Sequence, residues 1–290
     1  MSTAQPGTIA WELNLERRYP YGEVSPDPDR LEPLGFPPPW PDRPWIYANV
    51  ITSQNGLVAW ERRGPADDPI RAIAGGDFAR PGRRADVRLM RYLRACADAV
   101  SVGAQTLRDQ PGLINTLSES GSDLGAVLER FRLRHGLRRL PRQVIYTRQG
   151  LLDLDAPMFN TPGVEVIVVT TEEGARPLRG QGSERRGITL LVAGEEGLGP
   201  AELVDAHQRL FAGLGVRYLD CEGGAIILAA LHEAGLVDEI FVTVTDVHVD
   251  PSEHEGTKRL FPLDGARLIA EGRTASDAGY VFRRWRFNER

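Results

Sequence analysis

Cysteine is almost missing from this sequence: among 290 residues there are only Cys96 and Cys221. Two are too few for a disulfide scaffold and give no support to a zinc cluster. Lysine is scarcer still. Lys258 stands alone among a basic complement that is otherwise arginine, so Schiff-base chemistry would have one residue to use. No apolar run reaches the ~20 residues of a bilayer span. The opening MSTAQPGTIAWELNLERRYP lacks the basic-then-apolar order of a secretory signal. Nor is either charge in large excess, with 35 basic against 40 acidic side chains and a formal net charge of −5. That balance excludes a strongly basic nucleic-acid binder and gives no attraction to anionic membranes. Together these absences predict a cytoplasmic protein with no nucleic-acid and no membrane partner.

What is present is a sizeable apolar fraction, 41%, and a length that allows two domains or one α/β domain with extensions. Residues 1–44 differ from the rest. Prolines crowd 20–44, including Pro37-Pro38-Pro39, and proline fixes φ and removes a ladder donor, so this stretch is expected to be extended or irregular. Trp11, Tyr19, Tyr21, Phe36 and Trp40 make it an arm that packs on the domain or on a second subunit. From residue 45 to 290 one main domain is expected. Short β-branched runs at 46–51, 99–102, 143–146, 164–169, 188–192, 216–219 and 239–244 alternate with helical spacing at 83–95, 123–135, 201–214 and 225–234. The first helix carries Val87, Met90, Leu93 and Arg94 on one side, the second opens on an acidic cap at Asp123, and the last is apolar nearly all round and is expected to be buried. Alternation of this kind predicts an α/β fold with a mostly parallel central sheet covered by helices on both faces. Residues 266–271 and 280–287, flanking a Gly/Ser/Asp turn, predict a C-terminal antiparallel hairpin on one edge.

Three segments follow predicted strands, where open parallel sheets bind their ligands. Asp220-Cys221-Glu222-Gly223-Gly224-Ala225 joins a strand to the apolar helix. Glycines let a phosphate approach the backbone, and free N–H groups with the helix dipole favour negative charge. The same pair serves equally as a tight turn for helix–sheet contact. Val102-Gly103-Ala104-Gln105-Thr106 repeats the logic, with Thr106 either donating to a phosphate or capping the turn. Ser53-Gln54-Asn55-Gly56 follows the first strand, and Asn-Gly signals a turn. All three are expected to line one cleft. No dinucleotide fingerprint and no P-loop is present. His207, His232 and His254 lack acid or thiol partners at useful spacing, and the acidic stretch 246–255 does not fit a calcium loop, so no metal is expected. Cys221 either has its pKa lowered by the helix start or packs in the core.

The order of these phrases resembles the reductase domain of riboflavin biosynthesis, the C-terminal half of the bifunctional deaminase-reductase. The phrases are Ser53–Gly56, Val102–Thr106, Asp109-Gln110-Pro111-Gly112-Leu113, Glu222-Gly223-Gly224 and Ala234-Gly235-Leu236-Val237-Asp238-Glu239. The stretch 93–100 fits the family's helix-to-strand join, and the likeness runs over about residues 43–288. The resemblance implies a dihydrofolate-reductase-like fold, a homodimer through 239–244 and the hairpin, and NADPH as hydride donor to a small heterocyclic or pyrimidine-like substrate. By position it implies that Gly103, Ala104 and Thr106 face cofactor phosphates or ribose. Glu222, Gly223, Gly224 and Ala225 would hold the pyrophosphate and nicotinamide side. Thr147 and Arg148 would lie near the 2′-phosphate, with Thr170 and Thr171 candidates of the same kind. Ser53 and Asn55 would orient the substrate, and Asn49, Asp109 and Leu113 would touch it.

Two positions depart from the family pattern. Its turn acid is Asn55 here, and an amide is no ordinary proton-transferring base. Where it continues to an arginine that meets the substrate phosphate, this chain reads Leu113-Ile114-Asn115-Thr116, leaving Arg108, Arg80, Arg83 or Arg84 as substitutes. A relative of another class, dimeric and nucleotide-binding but without turnover, is the alternative these changes allow. The zinc signature of a deaminase half is absent.

Overall fold

The structure, a computed structural model, describes residues 36–64, 66–118, 124–274 and 276–287. In chain order its elements are β1 (Trp45–Thr52), β2 (Leu57–Ala59), α1 (Pro69–Ile73), α2 (Pro81–Cys96), β3 (Ala99–Gly103) and α3 (Ala104–Asp109). There follow α4 (Leu124–Arg134), β4 (Arg142–Thr147), α5 (Pro157–Asn160), β5 (Val166–Thr170), α6 (Glu172–Gly180), β6 (Thr189–Val192), α7 (Pro200–Leu214), β7 (Tyr218–Cys221) and α8 (Ala225–Glu233). The chain closes with β8 (Glu239–Thr245), β9 (Lys258–Arg259), β10 (Arg267–Thr274) and β11 (Asp277–Arg286). Two compact units result. A parallel-sheet unit takes residues 37–47 and 94–237, and a hairpin unit takes Phe36, 48–93 and 238–287.

In the parallel-sheet unit the strands run in the order β7-β3-β4-β5-β6, each parallel to its neighbour. Strands covered on both faces read as continuous apolar runs, and β5, VIVVT, is buried at every position. The expected α/β architecture is therefore present, with β7 displaced from the expected 216–219. Helix α7 ends on Gly215 at φ 65°, and the Val216 N–H turns back to the Leu210 carbonyl at 3.0 Å. The next two N–H groups, of Arg217 and Tyr218, donate to Asp98 Oδ2 at 2.8 and 2.9 Å. Residues 216 and 217 thus serve the helix exit, and the strand extends to carry Asp220 and Cys221. Helix α8 also differs from expectation: Leu228 and Leu231 are buried, but Ile226 is 67% exposed. Its apolar residues exceed what one buried face needs. Asp123, the expected cap of α4, lies outside the described residues. Ahead of β1, the Tyr218 hydroxyl donates to the Pro37 carbonyl at 3.0 Å, and Trp40 stacks on Trp45 at 6.4 Å.

In the hairpin unit β10 pairs with β11 and β11 with β8, all antiparallel. Burial alternates along β11 with the two-residue period of a sheet with one covered face. Glu239, Arg284 and Arg286 all point into that unit's core, where Glu239 accepts from Arg284 Nε at 2.6 Å and from Arg286 Nε at 2.7 Å. The Arg284 guanidinium also lies 5.1 Å from the ring centroids of both Phe36 and Phe241. A short antiparallel ladder joins β2 to β9.

Candidate functional site

The parallel-sheet unit brings two of the sequence segments together. The Gly103 N–H donates to the Gly223 carbonyl at 2.8 Å, and the Gly224 N–H to Thr106 Oγ1 at 3.2 Å. Gly223 sits at φ +91°, which favours glycine, and a Cβ there would meet nothing within 4 Å. Its front is open. Gly224, the N-cap of α8, brings no side chain to accept from the first turn, so the N–H groups at the start of this nine-residue helix, from Ala225 onward, have no intrahelical acceptor. Ala104 is buried and Thr106 half-buried on the facing turn. A backbone donor set of this kind, at the positive end of a helix, suits an anion.

The ends of β4 and β5 form a second group. Thr147 Oγ1 accepts from the Gly150 N–H at 3.0 Å, and Thr171 Oγ1 donates to the Arg148 carbonyl at 2.8 Å. Thr171 also caps α6 through the Gly174 N–H at 3.0 Å. The two loops touch backbone to backbone: a Cβ on Gly150 would sit 1.9 Å from the Gly174 carbonyl oxygen. Thr170 Oγ1 is buried with no hydrogen-bond partner, and the Arg148 side chain is exposed with no ion pair among the described residues. Behind β4, His207 Nδ1 lies 2.6 Å from the Leu203 carbonyl, to which it can only donate. In the neutral ring Nε2 then accepts from the Tyr146 hydroxyl at 2.8 Å. Both ring nitrogens are committed inside the core.

A third group was not foreseen. Arg94, near the end of α2, makes a two-pronged pair with Glu222, Nε to Oε1 and Nη2 to Oε2. Each side chain is only 8% exposed. The same guanidinium donates to the Thr116 carbonyl at 2.9 Å and to Asn115 Oδ1 at 3.2 Å. Two positions before Glu222, Asp220 is fully buried, and neither carboxyl oxygen has a hydrogen-bond partner. Burial, reinforced by the nearby Glu222 and only partly opposed by Arg94, pushes the Asp220 carboxyl well above the usual range. Cys221 is likewise buried, its thiol pushed up to about 11, which makes it a core residue rather than a nucleophile. The signal for Arg94 was a charge on the apolar stripe of its helix; that for Asp220 was an acid between Leu219 and Cys221.

In the hairpin unit, Ser53 Oγ donates to Asn55 Oδ1 at 2.8 Å and accepts from the Leu57 N–H at 2.9 Å. Asn55 Nδ2 donates to the Val249 carbonyl at 2.8 Å. These groups hold the turn itself, and Asn49 is half-buried on β1. Of the remaining candidates, Asp109 accepts from Gln105 at 2.8 Å, and Leu113 packs against the core around Val102 and Leu107. Among the substitute cations, Arg80 bridges Asp246 and Asp277, Arg83 pairs with Asp86, and Arg108 donates to Gln105 and the Leu151 carbonyl. Arg84 is exposed. Among the described residues no cluster of three or more His, Cys, Asp or Glu could hold a metal, and no helix is long and apolar enough to cross a membrane.

Solved structures share this fold. A pyrimidine reductase-like protein from Corynebacterium diphtheriae aligns over 86% of this chain and 94% of its own, with 21% identity and a TM-score of 0.59. The riboflavin biosynthesis reductase of Saccharomyces cerevisiae aligns over 84% and 90%, with 15% identity and a TM-score of 0.51. A Thermotoga maritima diaminohydroxyphosphoribosylaminopyrimidine deaminase/5-amino-6-(5-phosphoribosylamino)uracil reductase aligns over 84% of this chain but only 56% of its own, with 16% identity and a TM-score of 0.51. No protein of curated function matches the sequence. The RibD C-terminal domain family matches residues 44–249, most of the described chain, and the strand-end phrases around Gly103 and Gly223 fall inside that span: the chain belongs to the RibD C-terminal domain family.

Proposed function

We propose that this protein is an NADPH-dependent reductase of a small heterocyclic, pyrimidine-like compound, acting as a cytoplasmic homodimer in the manner of 5-amino-6-(5-phosphoribosylamino)uracil reductases. The observation that carries the reading is the open glycine turn at Gly223, set on an uncapped helix start within the span the family matches. The residues present fit the cofactor. Gly223 and Ala225 offer backbone donors and Thr106 its hydroxyl to a pyrophosphate, beside Gly224, whose own N–H is taken by Thr106, with Gly103 and Ala104 on the facing turn. Arg148, beside the orphaned Thr170 hydroxyl and Thr147, offers an uncommitted guanidinium to a 2′-phosphate, which its planar fork suits. When bound, the cofactor supplies a hydride to an electrophilic carbon, and no protein nucleophile is required. The residues' task is to hold both partners in line. To Asn49, Ser53, Asn55, Asp109 and Leu113 we assign substrate-side roles, a proposal that rests on the resemblance to the family alone. The arm is assigned to residues 1–44 and the reductase domain to 45–290.

The test is purified protein mixed with NADPH and a panel of pyrimidine, pterin and flavin-like compounds, followed by near-ultraviolet absorbance of the reduced nicotinamide. Steady, substrate-dependent loss is expected. No NADPH binding at high micromolar concentration would overturn the reading, and binding without oxidation of NADPH would leave a relative without turnover.

A further inference from the structure

Where the family pattern has an acid in the turn after the first strand, this chain has Asn55, and in the hairpin unit that amide is spent on a neighbouring loop. Between β8 and β9 the chain runs from Asp246 to Thr257 with little to bury: Val249 is the one buried residue in that stretch. A segment with so few apolar contacts opens easily unless polar contacts hold it. Here they do. The Val247 carbonyl accepts from the Gln54 N–H at 2.7 Å. Val249 is gripped by both of its backbone groups: its N–H donates to Asn55 Oδ1 at 3.3 Å, and its carbonyl accepts from Asn55 Nδ2 at 2.8 Å. Further on, His254 stacks on Trp60 at 4.0 Å, and the Glu255 carbonyl accepts from the Glu61 N–H at 2.9 Å. The Leu260 N–H donates to the Gly56 carbonyl at 3.1 Å. A side-chain amide offers a donor and an acceptor side by side, as a peptide group does, so Asn55 pairs with Val249 as a neighbouring strand would. Its partners fix its orientation, since the Val249 N–H needs an oxygen and the Val249 carbonyl needs an N–H. Ser53 Oγ holds the amide in place, donating to the same Oδ1 at 2.8 Å while it accepts from the Leu57 N–H at 2.9 Å. An ionised acid at 55 has no donor and would set an oxygen against the Val249 carbonyl.

We infer that Asn55 is a positioning residue whose amide docks the 246–257 loop onto the turn between β1 and β2 and so fixes the substrate-side turn. The inference rests on the reductase reading for what the turn does, and on the contacts to Val249 for what holds it. The amide at 55 is a latch, and it reaches the substrate only through the turn. Asn55→Asp converts the latch into one whose response to pH has a definite sign. A protonated acid at 55 donates to the Val249 carbonyl and the ionised acid does not, so docking favours the proton and raises that acid above the ordinary ~4. Docking is therefore present at low pH and lost as pH rises through the raised value. The charged groups around the latch are Lys258 and Arg259 on β9, the latter donating to the Asn55 carbonyl, and His248, Asp250 and His254 in the loop. Beyond them lie Asp246, paired with Arg80, and Glu61 and Asp67 after β2. Arg259 favours the ionised form and opposes the rise. The parent protein carries all of these groups, so the difference between parent and variant at each pH isolates position 55.

The test is peptide-resolved hydrogen–deuterium exchange on the full chain, without cofactor or substrate, for the parent, Asn55→Asp and Asn55→Ala at about pH 4 and about pH 8. Each rate is divided by the intrinsic rate of a free amide at that pH. The parent should protect the 246–257 peptides at both. Asn55→Ala should lose about tenfold or more of that protection at both, through loss of the bonds to Val249. Asn55→Asp should lose as much at the higher pH and recover it at the lower. Peptides of β3, β4 and β5 should exchange as in the parent, which shows that the variants stay folded. Parent-like protection of Asn55→Asp at the higher pH, or no recovery at the lower, overturns the latch and leaves the reductase reading intact. In the NADPH oxidation assay, Asn55→Asp should raise KM for the heterocycle about tenfold at the higher pH and progressively less towards the lower, with KM for NADPH within about twofold. Parent-like KM for the heterocycle in Asn55→Asp at the higher pH overturns the positioning role alone. A parent that oxidises no NADPH with any substrate overturns the reductase reading, and the positioning role falls with it whatever the exchange pattern.

Discussion

Two carboxyls in this protein are equally buried and oppositely served. Glu239 in the hairpin unit has both oxygens taken, one by Arg284 and one by Arg286, and the rings of Phe36 and Phe241 lie against the Arg284 guanidinium. Asp220 in the parallel-sheet unit has neither oxygen taken. The first cluster holds two cations for one acid, and the second holds two acids for one cation. Buried charge persists where geometry pairs it, and otherwise it becomes a neutral group that still wants a partner. The paired cluster sits where β8 meets β11, along a continuous ladder. The unpaired one sits where a strand gives way to the glycine turn. The difference teaches that burial alone marks neither structure nor chemistry; the marker is whether the polar atoms are accounted for.

The sharpest way to break this contrast is to remove Glu239. Glu239→Ala would remove the carboxylate that two buried guanidinium groups share and should lower the unfolding free energy by about 3–5 kcal/mol. Urea denaturation with an unchanged m-value checks it, and a loss below about 1 kcal/mol would mean that this cluster is no better satisfied than the other. A smaller effect distinguishes committed from uncommitted arginine. Arg148→Ala should change folding stability by no more than about 0.5 kcal/mol. It should weaken NADPH binding about ten- to a hundredfold, on the ~1.5–3 kcal/mol of a charge-assisted pair, while leaving NADH nearly untouched. Titration of both cofactors decides; equal losses for both would remove Arg148 from the 2′-phosphate.

The smallest effect is in the pH dependence of stability. Burial pushes Asp277 upward, but hydrogen bonds from Arg80 and from the Gly82 and Gly279 N–H groups outweigh it, and its carboxyl lies below its ordinary value. Its contribution is therefore present above pH ~4 and lost as pH falls below that. Asp220 has the opposite sign. Its folded form keeps a proton that the unfolded chain releases above pH ~4, so its contribution falls as pH rises from there towards the raised pKa. The stability gained by Asp220→Leu should grow with pH over that window, while the cost of Asp277→Asn should shrink as pH drops below it. Denaturation curves at a series of pH values check both signs.

Much of the fold was legible because periodicity is local. The β-branched runs at 99–102 and 143–146 lie within β3 and β4, and the apolar stripe of 83–95 lies within α2. Helix α6 escaped because Gly174 and Pro177 interrupt it, although Thr171 followed by Glu172 and Glu173 is a helix-start pattern. β2 and β9, three and two residues long, are too short to show a period. At the site, the glycines of 223 and 224 announced themselves as a turn between strand and helix. The Arg94–Glu222 pair could not, because its partners lie 128 positions apart and only the folded sheet brings them together. Asp220 was hidden by the strand boundary: with the strand ended at Leu219, it read as loop, where an unpaired acid is ordinary.

The backbone contact between Gly150 and Gly174 sets the freedom that directed evolution would have at this end of the sheet. The obstacle to a side chain at 150 is a peptide carbonyl, which no compensating substitution at 174 can trim away. A combinatorial library aimed at coenzyme preference should therefore leave both codons fixed as glycine. Its diversity belongs at Arg148, Gln149 and Glu173, whose side chains already face water, and variants with either glycine replaced should be depleted from the folded pool before any selection for activity is applied.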